Sequence, residues 1–455
     1  MQTISAAFIQ ARQVQASSLR RAARYRWPLS ITLIVGMTAA FSLSPLVDAV
    51  RPHSPVAASL TTPLLYDIFA PVSNVLDTLT LLSPAQYWGT FALCLVLLFA
   101  PAVSHFLRRP REFRPLSTIV PCLRCIGGTV AIVGIMIVAR RPMAALTLED
   151  QDLIAVDFHS HTSASHDGRS GFDAERNREW HRSSGFNAAY ITDHRTFDGA
   201  LDAAERNPPV AGDGMTLLPG VELRDDGEHP ILLGADPART RIASADLKGT
   251  RIVPMSGAVP PLLLLTIPGN IHHVPGGELA GPIRLAAIEI SDGSPRGLAQ
   301  TATDRNEILA LSDKLHLAAV AGSDNHGWGR AAPAWSVLRI PEWRNLTPAS
   351  LDVAIRATLL ARSPGVVEVI ARRTVAPPTG RVEAAVSGIA VVALMLRTMN
   401  LRERLSWILW SWAGALVSLV RARRTRRALR LRIRAAMRNR ARRPLIDAAA
   451  AARIG

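Results

Sequence analysis

The chain has 455 residues and a formal charge of +16, from 52 Lys and Arg against 36 Asp and Glu. Apolar residues make up 48%, too many for a disordered chain, and three cysteines are too few for a disulfide framework. The length points to more than one unit.

Charge separates three regions. Residues 1–150 carry 13 basic and 6 acidic residues, 151–375 carry 22 and 27, and 376–455 carry 17 and 3. The basicity belongs to the ends, so it is no argument that the mildly acidic middle grips nucleic acid. Residues 1–145 read as a membrane region. Three apolar runs, 29–50, 86–107 and 117–139, each approach the ~20 residues that cross a bilayer core. Three such runs in so short a stretch argue against buried soluble helices. The first exceeds the apolar stretch of a cleaved signal and reads as an uncleaved span. Residues 61–82 are also apolar, but Asp67, Asp77 and two prolines predict a loop or interfacial segment. Cys122 and Cys125 form a lone CxxC, and without a second pair a zinc ribbon is not expected. Five arginines (Arg12, Arg20, Arg21, Arg24, Arg26) precede the first run, and Arg108, Arg109, Arg111 and Arg114 separate the second from the third. That placement predicts a cytoplasmic N-terminus, an in–out–in order and a middle region on the extracytoplasmic (periplasmic) side of a multi-pass membrane protein.

Residues 150–375 show a recurring pattern, a short apolar run that ends in a polar residue able to hold metal or phosphate. The predicted strands are 153–156 leading to DFHSH, 188–191 leading to TDH, 217–221 leading to Glu222, and 231–234 beside His229. They continue with 262–266 leading to IPGN, 286–290 containing Glu289, and 317–321 leading to GSDNH. Helices are predicted at 173–184, 198–206, 303–315 and 348–360, the last with Thr347 as N-cap and Pro348 at its first position. Strands alternating with helices imply a largely parallel sheet. Polar residues at the strands' carboxyl ends suggest a closed or nearly closed α/β barrel, with an open doubly wound sheet as the competing topology. No GxGxxG or Walker loop supports a nucleotide cofactor.

Residues 382–420 hold two short apolar runs, 384–396 and 405–420, and predict one or two membrane segments. Residues 421–455 form an Arg-rich tail with twelve arginines between Arg421 and Arg443, suited to anionic lipid headgroups. If both runs cross, the tail shares a side with the middle region, against the preference of arginine for the cytoplasm. One run then lies in the interface, or the middle region is cytoplasmic.

Ten of the twelve histidines fall within 151–375. The sharpest signal is Asp157-Phe158-His159-Ser160-His161, where strand alternation puts both imidazoles on one face. His166 and Asp167 in SHDG, Asp193 and His194 in ITDH, Glu222, His229, and Asp324 and His326 in GSDNH follow. A mixed set of imidazoles and carboxylates suits zinc, manganese or iron better than calcium or magnesium. No cysteine lies in this region, which excludes a thiolate site.

With DFHSHTSASHDG, ITDHRTFDG, LLPGVEL, HPILLG and AGSDNHG in this order, the chain resembles the PHP (polymerase and histidinol phosphatase) family of metal-dependent hydrolases over about 155–330. The resemblance implies a distorted (β/α)7 barrel with two or three divalent ions at its carboxyl face. It implies a first ion held by His159, His161, Glu222 and Asp324, a second bridged by Glu222 to His229, and a third on His194, His326 and either His166 or Asp167. Asp157 and Asp193 are expected to orient neighbouring imidazoles. Two departures stand out. Ile267 occupies the position where the family has a fifth-strand histidine, which weakens or empties the second site unless His272 or His273 replaces it. Arg195 follows TDH in place of an acidic residue, and either clamps a substrate oxygen or stands in solvent.

Clustered dications lower the pKa of a water and supply a nucleophile near neutral pH. Arg195 would neutralise charge on the non-bridging oxygens, and His166 would protonate the leaving alcohol. The expected function is a membrane-anchored, metal-dependent phosphoesterase acting on a phosphorylated small molecule, nucleotide or lipid headgroup. The rivals are a metal-dependent hydrolase of carbamate or carboxylic esters and a non-catalytic metal-binding sensor or scaffold at the membrane. Nucleic acid is disfavoured as a partner, because the acidic middle repels phosphate backbones. Trp328, Trp335 and Trp343 either wall the pocket or pack the last helix.

Overall fold

The computed structural model describes residues 25–451 except 53, 55, 109–114, 139–140, 226–227, 243–246, 248–249, 256, 267–282 and 362–365. The chain divides into two compact units, Met1–Phe41 with Asn400–Gly455, and Ser42–Met399.

The larger unit is mixed α/β. Its strands are β1 (Leu46–Asp48), β2 (Ala58–Thr61), β3 (Ala145–Leu148), β4 (Leu153–Ser160), β5 (Ala188–Ile191), β6 (Thr216–Glu222) and β7 (Ile231–Leu233). They continue with β8 (Arg241–Ile242), β9 (Thr250–Arg251), β10 (Leu262–Leu265), β11 (Arg284–Asp292), β12 (Ala318–Gly322), β13 (Ala334–Arg339) and β14 (Val367–Arg372). Ten strands form one sheet in the order β1-β14-β13-β4-β5-β6-β7-β10-β11-β12. The seven strands expected from the sequence are all there, and they stand side by side in chain order.

Their residues explain the arrangement. AAYI in β5 and LLLL in β10 are buried at every position, as a sheet covered on both faces requires. The sheet curls until β12 returns to β4. Asp324 N–H donates to His159 O at 2.8 Å, His161 N–H donates to Asn325 O at 3.2 Å, and Ser336 Oγ accepts Ala321 N–H at 2.7 Å. The residues thus follow a nearly closed barrel, extended on one side by β13, β14 and β1.

The direction of β7 departs from a parallel barrel. It runs antiparallel to both β6 and β10, so its amino end lies at the rim where its neighbours' carboxyl ends lie. That is why His229 precedes its strand while the other candidates follow theirs. β13 and β14 are also antiparallel additions.

The helices that link the barrel strands pack on the curled sheet. α1 is the 25–40 helix, followed by α2 (Leu64–Ile68), α3 (Ala70–Thr80), α4 (Pro84–Arg108), α5 (Pro115–Val138), α6 (Ala174–Ser183), α7 (Asp198–Ala204), α8 (Pro295–Thr303), α9 (Arg305–Lys314), α10 (Pro348–Ala361), α11 (Arg381–Thr398) and α12 (Leu401–Ala451). Asp173 caps α6 by accepting Arg176 N–H at 2.9 Å, and Thr347 Oγ1 accepts Ser350 N–H at 3.3 Å at the start of α10. The helix expected at 303–315 is α9, and α8, directly before it, was not expected. On the face of the sheet away from the rim, Tyr190, Asp352 and Arg356 form a buried knot. Asp352 accepts Tyr190 O–H at 2.9 Å and both Arg356 Nε (2.9 Å) and Nη2 (2.7 Å), and Arg356 Nη1 donates to the carbonyls of Val259 and Pro260.

The expected 29–50 span is not one element. Its helix ends near residue 40, Leu46–Asp48 pairs with β14, and Asp48 caps the following turn by accepting N–H groups from Val50 and Arg51. Residues 61–82, expected as a loop or interfacial segment, hold α2 and α3. Asp67 and Asp77, which argued against helix there, are buried with partners: Asp67 accepts Thr62 O–H, and Asp77 meets Tyr66, Arg141 and Arg372. Helices do form at the other two runs, as α4 and α5. α4 packs on α11 at small residues, where a Cβ on Gly89 would strike the Ala384 carbonyl.

In the smaller unit α1 lies along α12. Trp412 Nε1 donates to Thr32 Oγ1 at 3.1 Å, and Arg404 Nη1 donates to Val35 O and Thr38 Oγ1 at 3.2 Å. The expected 405–420 segment and the start of the Arg-rich tail belong to this one helix. Among the described residues one helix, Leu401–Arg424, is long and apolar enough to cross a membrane, and Pro84–Ala100 is a shorter apolar helix.

Candidate metal centre

β4 delivers the first two imidazoles. Phe158 points into the core and stacks on Tyr190 with ring centroids 5.5 Å apart, so His159 and its alternate neighbours face the other way. β4 shifts register against β5 between Asp157 and Ser160, loosening the strand where it reaches the rim. His159 and His161 are buried, and their Nε2 atoms converge on the same oxygens. Glu222 Oε2 lies 3.1 Å from His159 and 3.2 Å from His161, and Asp324 Oδ1 lies 3.5 and 3.3 Å from them.

The other candidates gather around Glu222. His229 Nδ1 stands 2.8 Å from its Oε1, and His194 Nδ1 stands 3.5 Å from its Oε2. Asp167 Oδ2 reaches His194 Nε2 at 3.3 Å and His326 Nε2 at 3.2 Å. The His161 and His326 rings stack with centroids 4.0 Å apart. Five imidazoles and three carboxylates therefore converge, and subsets of them present ligand atoms within 4.8 Å of one another. Asp324 itself takes left-handed backbone, φ 44°, which costs a non-glycine residue roughly 1–3 kcal/mol.

The structure places the remaining expected residues as follows. Asp167 joins His194 and His326, and His166, 67% exposed, stands beside them, its ligand atom within 4.8 Å of those of Asp167 and His194. Arg195 is exposed and outside the cavity wall. It adopts a left-handed φ of 62°, and its backbone N–H donates to Glu222 O at 2.9 Å. Asp157 and Asp193 hold backbone more than imidazoles of the cluster. Asp157 accepts the N–H groups of His159 and Ser323 and pairs with His181 at 2.8 Å, while Asp193 accepts Thr162 N–H and O–H. Ile267, His272 and His273 lie outside the described residues.

Two buried carboxylates add to the expected set. Glu289, inside β11, places Oε2 3.3 Å from His159 Nδ1, and Asp292 closes the same strand. A charged residue in the middle of a buried apolar strand was the available signal. Trp335 and Trp343 are core residues, whereas Trp328 is exposed beside Arg169, whose guanidinium carbon lies 5.0 Å from its ring centre.

The electrostatics follow from crowding. For His161, burial favours the neutral form, but Asp324 and Glu222 outweigh it and carry its pKa up to about 9. Glu222 is driven well below the usual carboxylate range, burial being overcome by His159 and its neighbours, and Asp324 falls to about 2 in the same way. His194 goes to about 4, mainly through burial, and burial also lowers His326. Glu222 and Asp324 thus favour the ionised form and His161 the protonated one in compensation, burial raises Glu289 and Asp292, and His194 and His326 favour the neutral form that binds metal.

The donor set fits divalent cations. His161 Nδ1 and Nε2, His326 Nε2 and Glu289 Oε1 are buried without a well-formed hydrogen bond, and buried polar atoms seldom remain so without an ion or water. A cavity of about 190 Å³ opens over the cluster, lined by His159, Asp167, His194, Glu222, His229, Thr266, Asp324 and His326 on one side.

Solved structures with local likeness include PsfC from Pseudomonas syringae, at 15% identity over 54% of this chain and 99% of that one, TM-score 0.31. A proposed metal-dependent phosphoesterase from Bifidobacterium adolescentis aligns at 18% identity over 46% of this chain and 96% of that one, TM-score 0.29. A lesion-specific endonuclease from Pyrococcus furiosus aligns at 13% identity over 48% of this chain and 57% of that one, TM-score 0.34. No family model and no curated protein matches the chain.

Proposed function

We propose that the larger unit is a metal-dependent hydrolase of phosphate esters and that the chain holds it at a membrane. The observation that carries the reading is the convergence of five imidazoles and three carboxylates at one rim, with buried nitrogens left unsatisfied. His159, His161, Glu222 and Asp324 would hold one ion, Glu222 and His229 a second, and Asp167, His194 and His326 a third. The carboxylate and imidazole donors suit zinc, manganese or iron.

When bound, such ions activate a water near neutral pH and neutralise charge on a phosphate ester. The chain's own residues fix the geometry. Glu222 sits between four imidazoles and ties the poles of the site together. Glu289 faces His159 Nδ1 and favours the tautomer that leaves Nε2 for the site. Leu401–Arg424 serves as the membrane anchor, with Arg421, Arg423 and Arg424 at its end suited to anionic headgroups. Reporter fusions at residues 145 and 455 test the further reading of several crossings and an extracytoplasmic catalytic unit.

The deciding experiment uses the full chain loaded with manganese or zinc. It is assayed on p-nitrophenyl phosphate, bis-p-nitrophenyl phosphate, p-nitrophenyl acetate and a single-stranded oligonucleotide. Hydrolysis of a phosphate ester that disappears together with the metal in His159→Ala is the expected result. Acetate turnover alone would move the enzyme to carboxylic esters. Metal bound with no ester hydrolysed would leave a sensor or scaffold.

A further inference from the structure

We propose that Arg296 is the anion clamp of this site and that the substrate presents a terminal phosphate to it. The inference rests on the hydrolase reading above and names its substrate class.

The cavity has two chemically different walls. The strand ends supply imidazoles and carboxylates, which cations would occupy. The rest of the lining is Asp292 at the end of β11 and the first turn and a half of α8, through Ser294, Arg296, Gly297 and Gln300. Arg296 is the one lysine or arginine among the cavity's lining residues. Arg296 and Gln300 are four apart and share a helix face.

The start of α8 is held in place from below. Asp292 Oδ1 accepts Ser294 N–H at 2.7 Å and Ser294 O–H at 2.8 Å, and Ser294 Oγ accepts Gly297 N–H at 3.0 Å. A Cβ at residue 297 would collide with the Asp292 carboxylate, so glycine lets the helix start flush against the end of β11. Asp292 is thereby engaged with the cap. Among the described residues the Arg296 guanidinium makes no ion pair, although carboxylates surround the cavity. An exposed guanidinium without an ion pair, lining the same cavity as the candidate cation ligands, leaves room for a group that is anionic toward both, and a phosphate dianion is such a group.

The volume narrows the substrate further. About 190 Å³ is below the roughly 300–1,000 Å³ of sites that enclose a whole drug-sized ligand. It accommodates a phosphoryl group and a few atoms of its alcohol, with the remainder outside.

The test measures binding of inorganic phosphate to the manganese-loaded full chain by calorimetry. Arg296→Gln and Arg296→Lys are compared with the parent, with metal content and melting temperature recorded. Arg296→Gln is expected to weaken phosphate binding by about 10–100-fold at unchanged metal content, with partial rescue by lysine. It should also lower kcat/KM for p-nitrophenyl phosphate relative to bis-p-nitrophenyl phosphate. Phosphate affinity within twofold of the parent in Arg296→Gln, or no phosphate binding by the parent, overturns the clamp. If the parent hydrolyses phosphate esters and Arg296→Gln does so equally well, the hydrolase reading stands and the clamp fails. If phosphate binding depends on Arg296 but no ester is turned over, the clamp stands and the hydrolase reading fails.

Discussion

The larger unit buries ionic groups in two places, and they are built differently. Away from the rim, Asp352 and Arg356 are paired through two hydrogen bonds, Tyr190 supplies another, and two backbone carbonyls take the remaining guanidinium edge. At the rim, eight ionisable side chains crowd together, yet His161 and His326 keep buried nitrogens without a good partner. A buried charge that is fully satisfied by its own chain is a structural element. A buried cluster that is rich in acceptors and still unsatisfied is arranged for something the chain does not supply.

The largest effect that can break this contrast is at the rim. Glu222→Ala removes the residue shared by four imidazoles, and both metal retention and phosphate-ester hydrolysis should fall to background, as read by elemental analysis and a p-nitrophenyl phosphate assay. Asp352→Ala should cost about 3–5 kcal/mol of unfolding free energy in a denaturant titration, because Arg356 is left buried and unpaired. The folded fraction of that variant should keep its metal. Saturating metal should stabilise the parent, by about 2.7 kcal/mol at one hundred times the dissociation constant, and a chelator should reverse this. An equal gain in Glu222→Ala would show that the ion binds elsewhere. Glu289→Gln should lower metal affinity or turnover by about 10–100-fold with little change in melting temperature.

The smallest effect is in pH. With no ion bound, His161 keeps its proton up to about pH 9. Its contribution to the ion-free fold is complete below its ordinary pKa near 6.5 and fades as pH rises through about 9. An ion must displace that proton, so metal affinity should rise with pH by up to about tenfold per unit from this group and level off above 9. Chelator competition at several pH values reads the slope.

Much of the rim was legible in the sequence because its chemistry is local to strand ends. Each buried strand is a short apolar run, and the polar residue that follows it must emerge at the rim, so His159, His161, Glu222 and Asp324 could be read together. Strand direction has no such signature, since ILL in β7 is apolar whichever way it runs. The choice between His166 and Asp167 depends on how one loop turns, which neighbouring residues in the sequence do not reveal. Arg195 attracted attention because it follows TDH, while Arg296 sat in SPRG, which reads as a loop. The serine–proline pair there was a usable helix-start signal, with Ser294 as cap and Pro295 in the first turn. β13 and β14 went unread because AWSVLR and VEVIAR do not end in a candidate ligand.

Curling the sheet brings its β12 edge against β4, the first strand of the barrel, and only a few bonds near Ser160 and Asn325 join them. His159 stands on one side of that seam and Asp324 on the other. A cation held by both would act as a clasp, fastening the earliest and latest barrel strands. Amide hydrogens of residues 153–161 and 318–325 should then exchange with solvent more slowly in the loaded protein than in the stripped one. The barrel would open first along the line where its metal is held.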